Sequence, residues 1–265
     1  MPAILIDDPL DPRVAAFRDI RERDLTGRQG LFVAEGEVVL RVLASPASLC
    51  RPVAALIAER RLAALEDTLA ALPPDAPVYS AAQPVLDGVA GFHLHRGILA
   101  LGRKPASRPL EDVLAGVTED AVVVLACGIG NHDNMGGIFR AAAAFGAGAV
   151  LLDDRCCDPF YRKAIRVSVG AVLRTPMAAG LDAAGAIDGL KAAGFRVLAM
   201  TPSSPAPLHL ASRGGRTAIV LGAEGPGLPN QLLARCEPIG IPMSGGFDSL
   251  NVATAGAIAL HHFTR

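Results

Sequence analysis

The sequence predicts an α/β protein: a parallel sheet with crossover helices in the second part of the chain, with a smaller α/β domain in front of it. Three observations carry this. Residues 121–126, AVVVLA, form an unbroken apolar run, the pattern of a strand covered on both faces in a parallel sheet. Downstream of it, short strand-like runs alternate with helical patterns, which leaves room for a crossover helix between parallel strands. Finally, 265 residues exceed the usual domain of about 100–200 residues, so two domains or one large α/β domain are open, and 51% hydrophobic content is ample for a sizeable core.

Taken in order, residues 13–24 read as a charged helix, 31–34 as a short strand, and 36–43 as a helix with Val38, Val39, Val42 and Leu43 on one side. A strand at 52–58, a helix at 61–72, a strand at 76–80 and the strand GILALG at 97–102 complete the first domain. The basic stretch RKPASR, 103–108, is the candidate linker, which sets the domains at 1–105 and 106–265. The second begins with a helix at 109–114 and the strand 121–126, followed by a loop 128–136, a helix 137–145 and a strand 149–152. Helices at 161–169 and 183–193, strands at 196–200 and 217–221, a helix at 229–234, a strand at 237–241 and a helix 249–263 finish the pattern.

A net charge of −1 excludes a globally basic nucleic-acid coat, although local patches remain open. Arg155, Arg162, Lys163, Arg166 and Arg174 against Asp158 give a local excess of +4, and residues 13–28 carry a smaller excess of +2; each reads either as a solvated face or as a contact surface. No Trp and 4% aromatic content leave few rings for a stacked platform of the kind that binds single strands. The N-terminus has acids and prolines where a secretion signal needs basic and apolar residues, and no stretch reaches the length of a membrane span, so a cytoplasmic protein is expected. Five cysteines without a CxxC pair fit reduced thiols and no metal site.

Ligands of open α/β sheets sit beyond the carboxyl ends of the strands, which directs attention to three loops. GIGNHDNMGGIFR, 128–140, gathers four glycines, Asn131 and Asn134 ahead of Arg140. Its glycines permit close backbone approach by a ligand, and Asn131 or Asn134 equally suits a helix cap. It is no dinucleotide fingerprint, because Asp133 stands where GxGxxG requires glycine. LGAEGPGLPN, 221–230, packs glycines and prolines around Glu224. IPMSGGFDSLNV, 241–252, places Ser249 and Asn251 before an Ala/Gly-rich helix, where Ser249 also reads as an N-cap.

In this order and spacing the three segments resemble the motifs of the SpoU/TrmH family of RNA ribose methyltransferases, in the SPOUT superfamily. The stretch YRKAIRVSVGAVLRTP, 161–176, is similar to the one that follows the family's first motif, and FVAEGEVVLRVL and GILAL resemble the small RNA-binding domain that many members carry. The resemblance covers most of the chain. His132–Asp133 and Ala253–Thr254 depart from the pairs common in the family and leave the identity of the RNA open.

The resemblance implies a second domain with a Rossmann-like parallel sheet and a C-terminal trefoil knot, and S-adenosylmethionine as cofactor, contacted at Gly222, Ile241 and Leu250 with Met243 close by. It implies methyl transfer to a ribose 2′-hydroxyl of structured RNA, ribosomal RNA being favoured over transfer RNA. Arg140 would stand at the hydroxyl. A guanidinium is always protonated, so its expected work is to bind phosphate and stabilise alkoxide charge. Glu224 would orient Arg140 or an RNA group, while Ser249, Asn251 and Asn134 hold the loops and the RNA. Arg162, Lys163 and Arg166 would contact RNA phosphates, and a homodimer would form through the knot domain. Two rivals stand beside this: a knotted RNA-binding protein without transfer activity, and a Rossmann-type nucleotide-binding enzyme.

Overall fold

The computed structural model describes residues 3–18, 30–245 and 248–264. In chain order the elements are β1 (Ile4–Ile6), a 3-10 helix Pro12–Phe17, β2 (Leu31–Glu35), α1 (Glu37–Ala44), β3 (Arg51–Ala58), α2 (Glu66–Ala70), β4 (Val78–Ala81), α3 (Gln83–Ala90) and β5 (Ile98–Arg103). They continue as α4 (Leu110–Ala115), β6 (Val122–Ala126), α5 (His132–Phe145), β7 (Ala149–Asp153), α6 (Arg162–Val167), β8 (Met177–Leu181) and α7 (Ala183–Ala192). The last are β9 (Arg196–Met200), β10 (Thr217–Leu221), α8 (Asn230–Leu233), β11 (Glu237–Ile239) and α9 (Val252–Phe263).

The chain forms two compact units, and neither is contiguous. One holds the described residues through Pro105 together with Asp158–Arg174; the other holds Ala106–Cys157 and Thr175 onward. The expected boundary after residue 105 is therefore only one of three crossings. Within the first unit the segment 158–174 has clear anchors: the Phe160 ring lies 5.3 Å from that of Phe32, and Asp158 pairs with Lys104 at 2.6 Å. Lys104, placed in a linker by its sequence context, is thus held in the unit.

The first unit is a five-stranded mixed sheet, β1-β4-β3-β5-β2, parallel at β1/β4 and β3/β4 and antiparallel where β5 meets β3 and β2. Phe17, Leu56, Leu86, Leu99 and Leu101 fill its core. Gly102 is required here, since a Cβ on it would lie 2.2 Å from the Phe32 ring. The expected helix at 61–72 is instead two 3-10 turns and the short α2, and the charged helix at 13–24 is a 3-10 helix to Phe17, its remainder lying outside the described residues.

The second unit is a six-stranded sheet, β11-β9-β10-β6-β7-β8, parallel at every pairing. All five residues of β6 and of β10 are buried, as unbroken apolar runs demand of central strands. Two starts differ from those expected. The helix placed at 137 begins at His132, because the Asn131 side chain accepts from the amides of Asp133 and Asn134 and so starts it before the glycines. The helix placed at 249 begins at Val252, with Asn251 rather than Ser249 as the cap. No helix among the described residues is long and apolar enough to cross a membrane.

Candidate active site

Strands β9, β10 and β11 run parallel, so their carboxyl ends open on one edge, and the loops that follow them enclose a cavity of about 480 Å³. This falls within the roughly 300–1,000 Å³ of small-molecule sites. Its walls come from Met200–Pro202, Leu221–Gly225 with Gly227, Ile241 with Met243, and residues 248–252 with Ala255. Gly222, Ile241, Met243 and Leu250 all line it, as do Glu224, Ser249 and Asn251. The wall after β9, with Thr201 and Pro202, was missed in the sequence, although it follows a strand end as the others do.

The loop after β10 is made largely of backbone. A side chain on Gly222 would stand 2.6 Å from the backbone of Gly227 and Leu228, so only glycine lets the loop fold back on itself. The Gly227 amide closes it on the Ala223 carbonyl at 3.0 Å. The loops after β6 and β7 are stitched together in the same unit: Asp153 accepts from the Gly128 amide at 2.9 Å, and Cys157 donates its amide to the Ile129 carbonyl at 2.8 Å.

Three of the five expected catalytic residues meet. Asn251 Nδ2 donates to Asn134 Oδ1 at 2.8 Å and lies 3.3 Å from Glu224 Oε1, while its Oδ1 accepts from the Ala253 and Thr254 amides at 3.0 and 3.2 Å. One side chain thus caps α9 and joins the first and second motifs. Ser249 stays outside the triplet, its hydroxyl on Asp248 at 3.2 Å. Arg140 is exposed and makes no hydrogen bond or ion pair among the described residues. It follows Asn134 by six positions on α5, roughly 9 Å along the axis and on another face.

The expected RNA contacts lie in the first unit and are partly engaged there. Arg162 and Arg166 sit 3.5 and 3.9 Å from Glu35, and Arg162 also stacks on the Phe92 ring at 4.8 Å; Lys163 is exposed. Among the described residues no His, Cys, Asp and Glu cluster is arranged to hold a metal ion.

The profile of the SpoU rRNA methylase family matches residues 121–261. An uncharacterized tRNA/rRNA methyltransferase of Mycobacterium bovis is 43% identical over 268 residues, covering 97% of this chain and 90% of that one. In structure, the AdoMet-bound rRNA methyltransferase of Sinorhizobium meliloti shares the fold with a TM-score of 0.81 at 22% identity, over 98% of this chain and 97% of that one. An RNA 2′-O ribose methyltransferase superimposes with a TM-score of 0.76 at 28% identity, over 98% and 97% of the two chains. On its motifs, its fold and its close relatives, this chain belongs to the SpoU rRNA methylase family.

Proposed function

We propose that this protein transfers a methyl group from S-adenosylmethionine to a ribose 2′-hydroxyl of RNA, ribosomal rather than transfer RNA. The observation that carries the reading is the charge of the cavity: among the described residues lining it, only Glu224 and Asp248 are charged, and both are acids. Such a wall suits a cationic sulfonium and is unsuited to a pyrophosphate, which needs cationic or oriented amide donors. This favours the methyl donor over a dinucleotide. The 28% identical structure of an RNA 2′-O ribose methyltransferase supports the choice of acceptor, and the family's rRNA description supports the choice of RNA.

When bound, S-adenosylmethionine supplies an electrophilic methyl group. The chain's own residues supply position and charge. Backbone groups at Gly222, Ile241 and Leu250 would hold the adenine edge without a charged partner, and Met243 would pack against it. Asn134, Glu224 and Asn251 form one hydrogen-bonded platform that keeps the first- and second-motif loops and the start of α9 in register. Arg140, exposed and without a hydrogen-bond or ion-pair partner among the described residues, is suited to a phosphate and to developing charge on the 2′-oxygen; the proton would then leave to phosphate or water. Because Arg140 stands apart from that platform within one chain, the reading includes a homodimer in which it serves the neighbouring copy.

The reading also includes the trefoil knot. Its support is the position of residues 241–252 beside the loop 221–227 in one cavity, followed by α9 pressed on both α5 and β10. A Cβ on Gly137 would meet that of Ala253 at 2.7 Å, and one on Gly256 would meet Leu221 at 2.9 Å.

The test is nucleoside mass spectrometry of digested ribosomal and transfer RNA from cells with and without the gene. Loss of one 2′-O-methylnucleoside from the ribosomal fraction is expected. An unchanged inventory in both fractions, with a protein that binds S-adenosylmethionine, would overturn the reading in favour of a binding protein without transfer activity.

A further inference from the structure

We propose that Asp153 is a positioning residue for the methyl transfer: its buried carboxylate holds the loop that leads to Asn134 and Arg140 in working position. The proposal takes the reaction from the preceding reading and its geometry from the second unit alone.

Asp153 ends β7, all five residues of which are buried, and is itself 5% exposed. A carboxylate so placed needs hydrogen-bond donors or a cation in place of water, and among the described residues no cation pairs with it. Its donors are backbone amides, those of Gly128 at 2.9 Å and Arg155 at 3.2 Å, both on Oδ1. The strand register explains the reach. Ala126, the last residue of β6, lies opposite Leu152, so one further residue on each strand brings Asp153 beside the turn at Cys127 and Gly128. On its other side the pairing of β7 with β8 slips between Leu151 and Asp153, an irregularity of the kind that re-aims a side chain next to an active site.

The residues after Asp153 grip the same loop. The Ile129 amide donates to Cys156 Sγ at 3.4 Å, the Ile129 carbonyl accepts from the Cys157 amide at 2.8 Å, and the Cys156 thiol donates to the Ala126 carbonyl at 3.3 Å. Gly128, at φ +67°, faces the second-motif loop, where a Cβ would rest 3.5 Å from that of Ala223. Three residues on, Asn131 caps α5, and Asn134 in its first turn accepts the hydrogen bond from Asn251. The start of α5, and with it Arg140, is therefore set by where Gly128 and Ile129 are held. An apolar residue at position 153 would serve the core; an acceptor is required because the Gly128 amide has no other partner among the described residues.

This role separates from cofactor binding. Among the described residues none of 127–140 lines the cavity proposed for S-adenosylmethionine, so a shift of the loop moves the groups that meet the acceptor and leaves the walls around the donor. Misplacing reacting groups by about 1 Å costs on the order of 100-fold in rate.

Full-length parent, Asp153→Ala and Asp153→Asn proteins are compared by three readouts. These are transfer of tritiated methyl from S-adenosylmethionine to ribosomal RNA extracted from cells lacking the gene, S-adenosylmethionine affinity by calorimetry, and deuterium uptake of the peptide 127–139 by mass spectrometry. Asp153→Ala is expected to lower kcat roughly 30- to 100-fold and to hasten exchange in that peptide, with KM for RNA and cofactor affinity within about threefold of parent. Asp153→Asn keeps an acceptor for the Gly128 amide and should recover most of the rate and of the protection. If the alanine chain gives no cooperative urea transition, Asp153→Ser, whose shorter side chain stays polar but withdraws the acceptor, takes its place with the same expected split. A kcat within about threefold of parent would overturn the proposal, as would a cofactor affinity that falls in step with the rate, the mark of a general structural role. Parental exchange in the peptide 127–139 of the alanine chain would overturn it as well, whether or not the parent methylates RNA. A parent that binds S-adenosylmethionine and shows exchange dependent on Asp153, yet methylates neither ribosomal nor transfer RNA, would sink the methyl-transfer reading alone.

Discussion

Asn251 and Asn134, 117 positions apart in the chain, are joined by a 2.8 Å hydrogen bond, and the same Asn251 caps the last helix through its other atom. The two tasks separate by substitution. Asn251→Asp keeps a good N-cap but places an acceptor against Asn134 Oδ1 and Glu224 Oε1. Thermal stability is expected to change by less than about 1 kcal/mol, while cofactor affinity or turnover falls roughly 10- to 100-fold, the scale of an unsatisfied polar contact. Asn251→Ala should cost about 1 kcal/mol of stability through the lost cap as well. Parental stability and activity in Asn251→Asp, with losses confined to Asn251→Ala, would show that the cap is the residue's whole contribution.

Arg140 offers a cleaner division, since it stands outside the cavity. Arg140→Ala should lower kcat by about 100-fold or more, as loss of a charge-stabilising donor does, with S-adenosylmethionine affinity unchanged by calorimetry. Arg140→Lys should recover part of the rate, because it keeps charge without the planar fork. Turnover within a few-fold of wild type in the alanine variant would remove Arg140 from the mechanism.

The contact between α5 and α9 leaves no room for a side chain at Gly137. Gly137→Ala would set two Cβ atoms 2.7 Å apart, an overpacking expected to cost about 1–3 kcal/mol. Ala253→Gly on the same chain should restore most of that loss. A double-mutant cycle by urea melting measures it, and additive effects in the double variant would refute the contact.

Val169 is the one non-glycine residue at positive φ, +56°, among the described residues. A β-branched residue is strained there, by about 1–3 kcal/mol. Val169→Asn is therefore expected to raise stability by about 1 kcal/mol. A lower melting temperature would show that the Val169 side chain returns more than the backbone loses.

Burial pushes the thiols of Cys50 and Cys156 up to about 12 and raises Cys127 as well. The unfolded chain ionises its thiols near about pH 8.5, so above that pH it sheds protons the folded chain retains. Stability must then fall with rising pH, by roughly 1 kcal/mol per pH unit for each thiol, until the folded thiols titrate. Urea melts at pH 7.5 and 10 should show a smaller fall in Cys50→Ala/Cys156→Ala than in parent. A thiol reagent at pH 8.5 should leave Cys50, which is buried, unmodified until the protein unfolds; rapid native-state labelling of Cys50 would contradict that burial.

Much of this was legible in advance for a physical reason. Central strands such as Val122–Ala126 announce themselves because both faces are buried, and the loops around Glu224 and Asn251 because their glycines and polar side chains serve no core. The helix starts were harder. Asn131 and Asn251 both capped helices whose first turns contain residues that read as loop, and a side-chain cap is decided by geometry that spacing does not carry. Strand Met177–Leu181 escaped notice because its burial is interrupted and its residues are small. The arginines 162 and 166 were read by charge alone, and Glu35, their partner, lies too far away in sequence to be seen.

The detour of residues 158–174 into the first unit also bears on how the protein is made. A ribosome releases the chain from the N-terminus, so the strands of the first sheet emerge long before the helix Arg162–Val167 that completes their unit. By then the strands Val122–Ala126 and Ala149–Asp153 of the other sheet are already outside. The first unit therefore cannot be completed until part of the second has been made, and a nascent chain halted near residue 105 should remain more exposed to protease than one halted past residue 174.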